Sequence, residues 1–187
     1  MKEILKHRLS EFPEEIGDMF ISAFKERTVK KGESLLSEGD RCEYLTFIYK
    51  GAMMCYYLKA GKRYIDEFSL DGEFITDYTS FIKQAPSDKN IITLEDSVIY
   101  TISYRDFEQL YSKNSIHLER LGRYMIEDLY MQWHEKSKSL LMDSAAERYE
   151  KLIKNRPHLP QRVPQYLIAE YLGITPESLS RVRKEKY

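Results

Sequence analysis

Between about residues 26 and 103, short apolar runs alternate with turn residues. The runs occupy 44–49, 53–58, 64–68, 91–94 and 98–102. The breaks are Lys31-Gly32, Glu38-Gly39-Asp40, Lys50-Gly51, Ala60-Gly61 and Asp71-Gly72. Aromatic and β-branched residues dominate the runs, and a turn recurs about every ten residues, which predicts antiparallel strands in a sandwich or roll. Ahead of them, Phe12, Ile16, Met19, Phe20 and Phe24 recur at helical spacing and predict one or two lead-in helices.

From residue 104 the period becomes helical. Phe107, Leu110 and Tyr111 share a face over 104–112, and 115–141 then runs with Gly122 as its sole glycine and no proline. One apolar stripe is Leu118, Leu121, Met125, Leu129; another is Ile126, Leu129, Trp133, Leu140. A helix of roughly 25 residues spans about 38 Å, more than a small β-domain can cover. Two stripes imply one face on the parent domain and one on a second copy, with a single long core helix as the competing explanation. The expected dimerisation residues are Leu118, Leu121, Met125, Ile126, Leu129 and Trp133.

Asp143-Ser144 looks like the cap of a further helix carrying Ala145, Ala146, Tyr149, Leu152 and Ile153. Beyond it, VPQYLIAEYLGITPESLSRVRKEKY predicts two short helices joined by a turn. Pro164 suits a first turn, Gly173 a left-handed C-terminal cap, and Thr175-Pro176-Glu177 a capped helix start. Leu167, Ile168, Tyr171, Leu172, Ile174, Leu179 and Val182 form the inward face. Glu177, Ser178, Arg181, Arg183 and Lys184 remain for the surface. This is a helix-turn-helix pattern, whose second helix would enter a major groove with Arg suited to guanine and Glu to cytosine. An αα-hairpin without a DNA role is the competing explanation.

Charge supports the split. The chain has 187 residues with 29 Lys+Arg and 30 Asp+Glu, a net charge of −1. Residues 144–187 nevertheless hold nine basic against five acidic groups. The near-neutral total therefore averages an acidic body and a basic end, the latter suited to phosphate. No apolar run approaches the roughly 20 residues of a membrane span, no secretory signal opens the chain, and two cysteines, Cys42 and Cys55, suit a reducing compartment. A cytoplasmic location is expected.

With that tail in place, the chain resembles the Crp/Fnr family of bacterial transcription regulators. The resemblance rests on K31-G-E-S-L-L-S-E-G-D40, YLTFIYKG over 44–51, D71-G-E-F74, L94-E-D-S-V-I-Y-T-I102 and L167-I-A-E-Y-L-G-I-T-P-E-S-L-S-R-V-R183. It implies an α+β fold. A cyclic-nucleotide-binding-type β-roll would occupy residues 1–114, a long dimerisation helix and hinge 115–142, and a helix-turn-helix domain 143–187. Residues 143–187 hold no segment for the β-hairpin wing that follows the recognition helix in the family. By the same resemblance Gln165, Tyr166 and Thr175 would meet the DNA backbone, with Glu177, Ser178, Arg181, Arg183 and Lys184 at or beside the bases. Gly72, Glu73 and Phe74 would line an effector pocket. The segment that should supply the family's phosphate-binding Arg-Ser reads Q84-A-P-S-D-K-N-I91, so cyclic AMP is not expected. No iron–sulfur or haem ligand set is present, and no cofactor is expected.

Catalysis is not expected either. A cupin-like metal barrel needs His ligands in its strands, whereas His7, His117, His134 and His158 all lie outside them. The expected function is a homodimeric DNA-binding regulator at a pseudo-palindromic site, modulated by an effector in the roll. Its partners would be duplex DNA, a second copy, a small effector and RNA polymerase, without a membrane. The alternative is a ligand-sensing roll whose C-terminal helices serve dimerisation or partner contact.

Overall fold

Alternating apolar runs become two four-stranded antiparallel sheets. In the computed structural model, residues 4–6, 9–112 and 115–184 are described. One sheet is ordered β1 (Lys25–Val29), β8 (Ser97–Ser103), β3 (Tyr44–Lys50), β6 (Phe74–Ile75). The other is ordered β2 (Ser34–Leu36), β7 (Lys89–Thr93), β4 (Met53–Lys59), β5 (Lys62–Ser69). Helix α1 (Glu14–Ser22) leads in, and α2 (Tyr78–Lys83) sits between β6 and β7. After β8 come α3 (Tyr104–Tyr111), α4 (Ile116–Met142), α5 (Ala145–Asn155), α6 (Leu159–Arg162), α7 (Gln165–Leu172) and α8 (Pro176–Lys184). The antiparallel roll followed by a long helix and small helices is the expected architecture. Tyr187 and the rest of 185–187 lie outside the described residues.

Two apolar cores share the second sheet. Side chains alternate across a strand, so Met53 and Cys55 of β4 face Phe47, Ile91 and Ile99 between the sheets. Met54, with Ile65 and Phe68 of β5, faces the other way, onto Leu152, Leu167, Ile168 and Leu172 of the C-terminal helices. The second sheet is therefore covered on both faces. That explains why residues 52–58 are apolar almost without interruption, the mark of a strand buried on both sides.

The long helix divides into two halves, which corrects the expected dimer face. Leu118 and Leu121 are 1 % and 0 % exposed and belong to the inter-sheet core, with Met125 packed at its edge. Gly122 permits this approach: a Cβ there would lie 2.5 Å from the Tyr111 hydroxyl oxygen of α3. Leu118, Leu121 and Met125 are thus anchors of α4 to its own roll. Beyond them the exposed apolar stripe is Ile126, Leu129, Tyr130, Trp133 and Leu140.

Candidate nucleic-acid interface and its docking on the roll

The C-terminal helices are built by the caps their sequence announced. Ser144 and Glu147 form a reciprocal capping box at the start of α5, which satisfies two otherwise orphaned backbone donors. Gly173, at φ +70°, ends α7 in the left-handed conformation that a side chain would strain. Ser178 N–H donates to Thr175 Oγ1 at 3.2 Å, the expected cap of α8. Leu179 is buried and Val182 packs against the same cluster. The two helices therefore present one rigid polar edge.

On that edge Glu177, Arg181, Arg183 and Lys184 are exposed and Ser178 is half-buried. Hydrogen bonds from its own backbone and from Thr175 hold the Glu177 carboxyl below its ordinary range. Arg183 donates to Gln165 Oε1 at 3.1 Å, linking the second helix to the start of the first. Tyr166 is exposed beside them. The eight residues singled out in the sequence thus lie on α7, α8 and the turn between them.

Other basic residues of the C-terminal segment have a different task. Arg156 donates to the Phe68 carbonyl at 2.6 Å and pairs with Glu73. Arg162 donates to Asp71 at 2.6 Å and pairs with Glu95. From the roll side, Arg63 grips Glu170 of α7 through two bonds of 2.8 and 3.0 Å. The acidic body and basic end complement each other within one chain. Bidentate guanidinium–carboxylate pairs fix orientation as well as supplying attraction, so the helical head is docked in one pose on β4–β5. Sequence reasoning missed this clamp. The apolar run of β4 carried the signal, since both its faces require a cover.

The expected effector pocket at Gly72, Glu73 and Phe74 is corrected. Glu73 accepts from Leu70 N–H at 2.8 Å and from Arg156, so its carboxylate serves the clamp. Gly72 is a buried turn residue, and Phe74 stacks edge-on against Phe47 at 5.1 Å. Between the sheets the cavity is about 30 Å³, lined by residues such as Leu36, Thr46 and Ile91. That holds about one water molecule. In the 84–91 segment Ser87 donates to the buried Asp77 at 2.7 Å.

Burial pushes the Cys55 thiol up, away from a reactive thiolate. Among the described residues no group of three His, Cys, Asp or Glu could hold a metal, and no helix is long and apolar enough to cross a membrane.

Glu67, opposite Cys55 in the β4–β5 ladder, is an acid held above its ordinary range. Burial and the neighbouring Asp66 charge push it from 4.5 up to about 7. Below the lower value both folded and unfolded chains hold the proton. Between the two values the unfolded chain ionises first, so stability falls as pH rises and then levels off. Glu67→Gln is expected to stabilise the fold by about 2–3 kcal/mol at about pH 8 and by little at about pH 4. Urea unfolding at the two pH values checks this; an equal gain at both would contradict it.

Residues 26–114 match the family model of the cyclic nucleotide-binding domain. No curated protein matches the chain significantly. The fold is similar to that of the c-di-GMP responsive global regulator CLP of Xanthomonas campestris, at 16 % identity and a TM-score of 0.65, covering 92 % of this chain and 91 % of that one. It is similar to FixK2 of Bradyrhizobium japonicum at 20 % identity and a TM-score of 0.68, covering 87 % and 83 %. The catabolite activator protein of Thermus thermophilus aligns at 18 % identity and a TM-score of 0.53, covering 97 % and 85 %. The likeness to these Crp/Fnr-type structures extends over roll, long helix and head.

Proposed function

We propose that this chain, whose residues 26–114 match the cyclic nucleotide-binding domain, is a homodimeric DNA-binding transcription regulator that does not use cyclic AMP. The observation that carries the proposal is the polar edge of α8, where Arg181, Arg183 and Lys184 stand exposed on a helix whose opposite side is buried. On this reading Arg181 would take guanine and Glu177 cytosine N4, with Ser178 beside them and Gln165, Tyr166 and Thr175 toward phosphates. The exposed half of α4 supports pairing with a second copy, which would set two α8 helices about 34 Å apart on one face of a duplex. Neighbours of the same architecture support the class, CLP being a global regulator.

Two features support the exclusion of cyclic AMP. The cavity lined by Leu36, Thr46 and Ile91 is only about 30 Å³, and the 84–91 segment offers the Ser87–Asp77 pair instead of an arginine. A carboxyl beside that hydroxyl opposes a phosphate rather than holding it.

A second reading is favoured by the clamp, which employs Arg156 and Arg162 inside the chain. On that reading the head is a docked partner-binding or dimerisation surface. Selection of bound duplexes from a random pool separates the two. The regulator reading expects enrichment of an inverted repeat with half-sites about one helical turn apart. A pool that shows no enrichment after repeated rounds favours the second.

A further inference from the structure

Arg162 is the cation of the clamp that stands next to the polar edge of α7 and α8. It ends α6, three residues before Gln165 opens α7. Leu159 and Val163, 0 % and 2 % exposed, fix the backbone on either side of it. Gln165 Nε2–H donates to the Pro160 carbonyl of α6 at 3.4 Å, and Gln165 Oε1 accepts from Arg183 of α8 at 3.1 Å. A short chain of contacts thus leads from α8 through the start of α7 to α6.

What Arg162 holds is a pair of carboxylates on two turns of the roll. Asp71, between β5 and β6, accepts from both of its terminal nitrogens, at 2.6 and 3.2 Å. Glu95, between β7 and β8, accepts from the second of these as well. The Gly51 N–H fixes Asp71 from the other side at 2.6 Å. The Asp71 and Glu95 side chains are 47 % and 36 % exposed, so water and ions reach this seat. Arg156 differs, because one of its nitrogens holds the backbone carbonyl of Phe68, which would lose that donor on release.

A guanidinium fork matches carboxylate and phosphate alike. We propose that Asp71 and Glu95 are an internal phosphate mimic: in the free protein they hold Arg162, and on a duplex its side chain leaves them for a backbone phosphate. Arg162 is then a latent DNA contact, and the roll restrains DNA binding through it. The duplex gains one phosphate contact but must break the pairs and leave two carboxylates beside its own charge. Arg156 with Glu73, and Arg63 with Glu170, keep the head docked, so the exchange takes one side chain rather than a movement of the head. This inference rests on the regulator reading.

Duplex titrations of the full chain over a series of salt concentrations test it, on a selected site and on unrelated DNA. Glu95→Gln removes one carboxylate of the seat. It is expected to raise affinity about two- to fivefold, the scale of a partly exposed ion pair. The gain is equal on both duplexes, because a phosphate contact carries no sequence. The salt dependence steepens by about 0.9, one further phosphate. Adding Arg162→Gln removes the gain and the steeper slope together. Asp71→Asn repeats the gain and is read beside a thermal melt, because Asp71 also accepts from Gly51. Glu38→Gln, at an exposed turn of the roll, changes the net charge equally and leaves the slope as it was. Affinity that Glu95→Gln leaves unchanged or lowers overturns the proposal and leaves the regulator reading standing. A gain that survives Arg162→Gln, or that Glu38→Gln reproduces, overturns it in the same way. A parent and variants that bind no duplex at any salt would remove the regulator reading, and this inference with it.

Discussion

Replacing Leu129 and Trp133 together with lysine separates the protein into monomers and lowers its affinity for a two-half-site duplex by about 10²–10⁴-fold. Leu129 is 44 % and Trp133 61 % exposed in the single chain, and Tyr130 beside them is 60 % exposed. An apolar stripe of this kind on a helix invites a partner of the same chain, since a two-fold contact sets like against like. Lysines at both positions put charge into a dry seam, where it lacks a counter-ion. Neither side chain supports the roll, so the melting transition of each monomer stays near that of the parent chain. Linking two heads turns the second half-site contact into an intramolecular one, and the loss of that linkage sets the size of the effect. Sedimentation or light scattering reads the mass, and a duplex titration reads the affinity. A double variant that remains dimeric would place the self-contact elsewhere.

Leu118→Ala produces the opposite pattern. It destabilises the fold by about 2–5 kcal/mol, the range for removing a fully buried leucine and leaving a cavity. Leu118 is 1 % exposed and packs with Leu121, Phe107 and Leu110 in the inter-sheet core. The variant keeps its dimer contact wherever it is folded, because its site faces the roll. Urea unfolding measures the loss, and a value under about 1 kcal/mol would mean that the first turns of α4 are not the anchor described.

The contrast between these positions shows what the sequence carried. Both leucines sit on apolar stripes of equal quality, and helical spacing alone cannot say which partner each stripe meets. The strands, the Ser144 cap, the Gly173 cap and the Thr175 cap were legible because each depends on neighbours within a few residues. The clamp was not, because its partners are remote in sequence: Arg63 and Glu170 are 107 residues apart, Arg162 and Asp71 91, Arg156 and Glu73 83. Glu73 carried the family position of a ligand anchor, yet an arginine from the head reaches it. The basic excess of the C-terminal segment likewise looked like one phosphate-binding surface. In the fold it divides into a docking set, Arg156 and Arg162, and an outward set on α8.

That division makes salt the decisive variable. The central claim is that α8 meets duplex DNA, and the measurement that tests it most directly is a gel or anisotropy titration of the intact protein at rising salt, beside its Arg181→Ala variant. The account predicts that log affinity falls linearly with log salt, by roughly 0.9 for each phosphate neutralised. It also predicts that Arg181→Ala costs about 1–3 kcal/mol on the selected site and little on unrelated DNA. Absence of duplex binding even at the lowest salt, or binding that Arg181→Ala leaves unchanged on the selected site, would contradict it.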